Sequence, residues 1–273
     1  MKVDKLYVEN IANQIKERIK ELPTVAIILG SGLAGVVDKF EDKVEIKYTE
    51  LKDMLIPSVQ GHINQFVVGK LGGKVVIAMQ GRFHAYDGFD AKECAFPLYV
   101  FKLLGVETVI ITNSSGAINP NYKPGDIMMI KSHINFTGMN PLVGGAIIDY
   151  GEQFIDLKYT YDIDYRQKFR QICYNHNIPV QEGVFAQALG PTYETPAEVD
   201  MYRICGVDAV CMSTVLETIA AGQCNMKVLG LSCISNIAVS YNDAVITHED
   251  VLKTSQQTAK SLTIALEEFL KEI

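Results

Sequence analysis

The chain has no apolar run longer than five residues, a length reached at Val25–Leu29 and again at 75–79. A bilayer-spanning helix needs about 20 such residues, so none is expected. The six cysteines (94, 173, 205, 211, 224 and 233) contain no C-x-x-C and no metal-finger spacing. In a chain of this length they read as buried free thiols of a reducing compartment. Positive charge is also short: 25 Lys and Arg stand against 32 Asp and Glu, a net of −7. That balance argues against a nucleic-acid or anionic-membrane binder, and an anionic ligand must be met by a local cluster of donors. The opening Met1-Lys-Val-Asp-Lys5 lacks a signal peptide's apolar core, and no repeat, charge block or linker divides the chain. The expectation is a cytoplasmic, metal-free protein forming one domain over residues 1–273.

What is present is globular. Hydrophobic residues make up 48% and charged residues 21%, which excludes a disordered protein. Val8, Ile11, Ile15, Ile19 and Leu22 recur at helical spacing up to Pro23 and predict an amphipathic helix. Val25–Leu29 is a buried strand by its length and flanking glycine, and Gly72-Gly73 between two β-rich runs predicts a hairpin. A helix over 91–104 carries Pro97, which predicts a kink. Further strands are predicted at 108–112, 126–134, 184–189, 208–211 and 228–232, and helices at 165–175, 196–205, 215–225 and 248–270. The alternation indicates an α/β fold, and the hairpin makes its sheet mixed. Residues 138–161 are the one long irregular stretch, a length usual for functional loops.

Several segments carry chemistry. Gly30-Ser-Gly-Leu-Ala-Gly35 follows a strand and matches G-x-G-x-x-G, with Glu50 twenty positions on, as in dinucleotide-binding folds. The broader reading is a Gly-rich turn offering N–H groups and the Ser31 hydroxyl to a phosphate, and the plainer one is a tight turn. In Gly81-Arg-Phe-His-Ala-Tyr-Asp-Gly88, Arg82, His84 and Tyr86 share one side of an extended chain, an odd set for a core and a natural one for an anion site. Thr214-x-x-Glu217 is a capping-box pattern that puts Ser213 at a helix N-terminus, where an anion is favoured. Thr112-Asn-Ser-Ser-Gly116 ends a strand in small residues, which allows close approach to a ligand or forms an ordinary turn. A second box, Thr195-x-x-Glu198 with Pro196 at the first helical position, leaves Tyr193 and Glu194 unexplained; an aromatic beside a carboxylate suits a flat, hydrogen-bonding ligand. Thr247-x-x-Asp250 caps the last helix with His248 in its first turn, where the dipole favours a neutral ring. His133 and His176 read as structural or surface residues, and His62 is undecided on local grounds.

Taken in order from Gly30 to His248, these segments resemble the low-molecular-mass, homotrimeric purine nucleoside phosphorylases. The motifs are G-S-G-L, G-H, G-R-F-H-x-Y-x-G, T-N-x-x-G-x-x-N-P, G-P-x-x-E-T-x-A-E, M-S-T-V and S-x-x-S-N. The resemblance implies a distorted mixed central sheet flanked by helices. It also implies phosphorolysis of 6-oxopurine nucleosides to free base and ribose 1-phosphate, within purine salvage, with phosphate as co-substrate and no cofactor. Position by position it gives phosphate to Ser31, His62, Arg82, His84, the Ser114 N–H and Ser213. Ribose goes to Tyr86, Met212, His248 and a neighbouring subunit's Phe154, and the base to Tyr193, Glu194 and Asn236. His84, Glu194 and Asn236 are the expected catalytic groups. The chain departs from the pattern at Gly-Leu-Ala-Gly after Ser31, at Ser114-Ser115 in place of two alanines, at Leu216 in place of proline, and at Phe185, where some relatives carry a tyrosine near the 5′-hydroxyl.

Three other readings compete. A 5′-methylthioadenosine phosphorylase would want aspartate at 236 and an apolar 5′ pocket, which Asn236 and His248 oppose. A purine- or phosphate-binding sensor without catalysis would keep the same ligands. A nicotinamide dehydrogenase uses the first glycine loop but leaves Arg82, His84, Glu194 and Asn236 without a task.

Overall fold

The computed structural model describes residues 3–58, 63–145, 147, 151–238 and 247–273. Its centre is a nine-stranded mixed sheet: β1 (Val25–Leu29), β2 (Glu41–Lys47), β3 (Gln65–Leu71), β4 (Lys74–Gln80), β5 (Thr108–Ala117), β6 (Ile127–Asn135), β7 (Val180–Gln187), β8 (Ala209–Cys211) and β9 (Lys227–Ile237). The strand order is β2-β3-β4-β1-β5-β8-β7-β6-β9, and β9 also pairs with β5. That last pairing bends five strands, β5, β8, β7, β6 and β9, into a closed ring, while β2, β3, β4 and β1 form an open arm. The sheet is therefore mixed and distorted, as the sequence led us to expect.

The helices are α1 (Lys5–Lys16), α2 (Ala91–Leu103), α3 (Ile163–Asn175), α4 (Pro196–Ile204), α5 (Val215–Gln223) and α6 (His248–Lys271). Val8 and Ile11 of α1, Phe96 and Val100 of α2 and Ile219 of α5 share one core with strand residues such as Ile28. Phe169 of α3 and Leu262 and Phe269 of α6 pack on the opposite face with Ile27 and Ile110. Covered on both faces and flanked by parallel strands, β1 is buried at every position, which is why Val-Ala-Ile-Ile-Leu reads as a continuous run. Gly72 and Gly73 both have positive φ, the geometry a two-residue hairpin turn between β3 and β4 requires.

Three local expectations are corrected. The first helix stops at Lys16, so Ile19 and Leu22 lie beyond it; the Arg18 guanidinium bonds the Gln14 carbonyl and Leu22 is exposed. The G-x-G-x-x-G loop leads into a short 3₁₀ turn, Ala34–Lys39, instead of an α-helix. Glu50 is exposed and accepts the Lys47 N–H, so neither half of the dinucleotide pattern survives. Among the cysteines, all unpaired, Cys205 is exposed and Cys211 half-buried rather than buried like the other four.

Candidate active site

The C-terminal ends of β1, β4, β5, β8 and β9 converge on one cavity, which holds about 690 Å³ with its mouth included and falls within the size range of small-molecule sites. Ten residues expected from the sequence line it: Ser31, Arg82, His84, Tyr86, Ser114, Tyr193, Glu194, Met212, Ser213 and Asn236. β4, β1, β5 and β9 run parallel and end at the same level, and β8, antiparallel to β5, brings Met212 and Ser213 to the same cavity, so side chains distant in sequence meet there.

One end is built of donors. The glycine at 30 is required because a Cβ there would stand 2.7 Å from Asn113 Cα, and this close approach sets Ser31 beside Ser114. The Ser114 hydroxyl donates to the Ser31 carbonyl at 2.7 Å and accepts from Ser255 Oγ of α6 at 2.7 Å. Serine in place of alanine at 114 thus ties the glycine loop to the last helix. Arg82 is buried, and its Nη1 donates to Ser213 Oγ at 3.0 Å. His84 is buried as well, and its ring stacks on Tyr86 with centroids 4.6 Å apart. Tyr86 lies in a 3₁₀ turn, Ala85–Asp87, so it reaches the cavity by a turn and not by continued strand alternation.

The opposite end is flat and polar. Gly190, at φ 74°, leaves no room for a side chain: a Cβ would meet Met212 Sδ at 2.4 Å and Tyr86 Cδ1 at 3.1 Å. The loop carrying Tyr193 and Glu194 therefore closes directly over Met212 and Tyr86. Glu194 is half-buried, and burial pushes its carboxyl above the ordinary range although its own backbone N–H pulls the other way. Asn236 Oδ1 lies 2.8 Å from the Ser235 hydroxyl that donates to it, which leaves the amide nitrogen as the group presented to a ligand. The box at Thr195 and Glu198 forms as expected, with the Thr195 N–H and hydroxyl both donating to the Glu198 carboxylate.

The box at Thr214 forms differently. The Thr214 side chain makes no capping bond; Gln187, at the end of β7, accepts from the Val215 and Leu216 N–H groups at 2.7 and 3.2 Å instead. Thr214 has φ 89°, a costly conformation for a β-branched residue, and Asn113 Nδ2 holds its hydroxyl at 2.9 Å. Glu217, read from sequence as a capping residue, is buried with its Oε1 3.3 Å from Arg82 Nε. Gln187, Asn113, Ser235 and Glu217 are thus the supporting residues that sequence reasoning missed. Asn113, Ser235 and Glu217 stood inside recognised segments but without these roles, and Gln187 stood only in a predicted strand.

Four residues are placed otherwise. His62 lies outside the described residues. His248 begins α6, and Val251, one turn on, lines the cavity, but the His248 side chain is not described. Phe154 is 89% exposed and does not line the cavity of its own chain. Phe185 is fully buried and likewise does not line the cavity. His133 is structural: burial lowers its pKa to about 4, and Nδ1 lies 3.0 Å from Tyr161 Oη. Among the described residues no three His, Cys, Asp or Glu side chains are grouped to hold a metal.

The family model described as the phosphorylase superfamily matches residues 24–271. Purine nucleoside phosphorylase 1 of Bacillus subtilis is 44% identical, with 92% of each chain covered. The chain belongs to the purine nucleoside phosphorylase family. The rat member is 39% identical over 93% of this chain and 90% of its own. A solved Schistosoma mansoni purine nucleoside phosphorylase in complex with inosine superposes with a TM-score of 0.95 at 34% identity, covering all of this chain and 98% of the other. An isoform 2 structure from the same organism, in complex with cytosine and ribose-1-phosphate, gives 0.95 at 38% identity over 100% and 98%. Family membership gives the ring-and-arm sheet its place: it is the frame that brings a donor-lined end and a flat polar end into one cavity.

Proposed function

We propose that the chain carries out phosphorolysis of 6-oxopurine ribonucleosides and 2′-deoxyribonucleosides, giving free base and (deoxy)ribose 1-phosphate, and serves purine salvage in the cytoplasm. One observation carries this reading: Ser31, Arg82, His84 and Ser213 line the same cavity as Tyr193, Glu194 and Asn236, with Tyr86 stacked on His84 and, like Met212, beside Gly190 of the loop that carries Tyr193 and Glu194. An anion, a sugar and a flat base fit that sequence of surfaces.

In this reading phosphate lies among Ser31, Arg82, His84, the Ser114 N–H and Ser213, with His62 close by. Phosphate is already anionic, so His84 positions it and no strong general base is needed. The sugar rests on Tyr86 and Met212, with His248 at its 5′-hydroxyl. The C1′–N9 bond breaks through an oxocarbenium-like state with positive charge on the sugar and negative charge on the departing purine. Bound phosphate faces the sugar cation and then closes the bond to C1′. The Asn236 amide donates to N7 as negative charge grows there, and Glu194 accepts from N1–H; the first interaction strengthens in the transition state, so it raises turnover rather than ground-state binding. Every role falls to a protein group or to phosphate, and no cofactor or metal enters.

Inosine cleavage is accordingly expected to require phosphate or arsenate and to survive chelators. Hypoxanthine release followed with and without phosphate tests this. Equal turnover in phosphate-free buffer would indicate a hydrolase and overturn the reading.

The exposure of Phe154 supports a shared site, with this ring closing the sugar pocket of a neighbour in a homotrimer of closed cyclic symmetry. Phe154→Ala is expected to raise the nucleoside KM about 10-fold, the scale of a lost aromatic contact, and to leave the phosphate KM unchanged. A fully active monomer in sedimentation at assay concentration would refute the shared site.

A further inference from the structure

We propose that Glu217 is a positioning residue for the phosphate co-substrate: its buried carboxylate fixes the direction of the Arg82 guanidinium and, through it, the contact with Ser213. The proposal rests on the phosphorylase reading above, and assigns a task to a residue that does not itself line the cavity.

Arg82 and Glu217 are 1% and 3% exposed, so both charges are out of water and must be compensated locally. The guanidinium is a rigid plane, and two of its nitrogens are accounted for. Nη1 donates to Ser213 Oγ at 3.0 Å, and Nε stands 3.3 Å from Glu217 Oε1, at ion-pair distance but without hydrogen-bond alignment. Nη2 is buried with no hydrogen-bond partner among the described residues. With the Nε edge turned to Glu217 and Nη1 to Ser213, the plane cannot rotate without losing one of them, and Nη2 is left free to meet an anion.

Glu217 lies in the first turn of α5, three residues beyond Thr214, the residue that precedes that helix. Thr214 sits at φ 89°, where a β-branched residue stays only if its surroundings hold it. Asn113 holds its side chain. Ser213, the residue just before, is the one that Arg82 contacts. Arg82 therefore couples Glu217 to Ser213, a residue 131 positions from the arginine.

A different role would have the opposite sign. If Glu217 served only to cancel part of the arginine's charge, removing its own charge would tighten phosphate binding. Two near-isosteric variants separate the roles. Glu217→Gln keeps the size and loses the charge; Glu217→Asp keeps the charge and withdraws it by one methylene.

In initial-rate measurements both variants are expected to raise the phosphate KM about 10-fold or more, the scale of a lost charged contact, with the inosine KM changed less than about threefold. An unchanged phosphate KM in both variants overturns the proposal. So does a lowered phosphate KM in Glu217→Gln beside wild-type behaviour in Glu217→Asp. Wild-type turnover that ignores phosphate would instead refute the phosphorylase reading, a separate result. If neither variant folds, the wild-type protein with ¹⁵N-labelled arginine decides. On adding inorganic phosphate the Arg82 Nε–H resonance should hold its position while the Nη2 resonance moves, and movement of both together overturns the proposal.

Discussion

Asn236→Asp is expected to lower kcat/KM for inosine and raise it for adenosine, narrowing or reversing the preference between them. In the proposed complex the Asn236 amide donates to N7 and Glu194 accepts from N1–H. Adenosine offers an N1 lone pair to the Glu194 carboxylate and a 6-amino donor to an amide donor. Each buried unsatisfied polar group costs about 1–3 kcal/mol, so two mismatches give roughly 10²- to 10⁴-fold discrimination by the wild-type protein. The Ser235 hydroxyl holds one end of the Asn236 side chain, so an aspartate keeps the same placement and puts an acceptor where the amide nitrogen stood. It then accepts from the 6-amino group and no longer helps a 6-oxopurine leave. Measuring both nucleosides on both proteins checks this. An unchanged inosine-to-adenosine ratio would show that Asn236 does not read the base.

Arg82→Met is expected to raise the phosphate KM about 10²-fold, because a charge-assisted contact in a desolvated site is worth about 1.5–3 kcal/mol. The same change leaves Glu217 buried without its cation and is expected to destabilise the fold by about 3–5 kcal/mol. Stability and function can be separated. Replacing both partners, Arg82→Met with Glu217→Leu, removes the buried charges together and should recover most of the stability while phosphate use stays lost. Urea unfolding and phosphate-dependent initial rates on the two variants give both numbers. Recovery of phosphate use in the double variant would exclude Arg82 from the anion site.

Much of the frame could be read directly. Val25–Leu29 is a strand because it is apolar throughout and buried on both faces, and Gly72-Gly73 is a hairpin because both residues adopt positive φ. The caps at Thr195 and Thr247 were legible for a simple reason: donor and acceptor are three residues apart, so the sequence contains the whole interaction. The identical spacing at Thr214 and Glu217 misled on the capping bond because Asn113 engages the Thr214 hydroxyl, while Gln187 of β7 takes the neighbouring Val215 and Leu216 N–H groups. Ten of the expected site residues proved to share one cavity because their motifs end strands of one sheet.

By itself, then, the sequence determined the α/β class, the run of strands and helices, and the residue types able to hold an anion, a sugar and a base. All three depend on periodicity, local turn chemistry or the identity of a side chain. Only the tertiary structure decided that β9 closes a ring against β5, that Gln187 caps α5 28 residues along the chain, that Asn113 restrains Thr214 across 101 residues, and that Glu217 faces Arg82. A hydrogen bond or ion pair between distant residues leaves no spacing to read, because its geometry is set by which strand ends the sheet brings level.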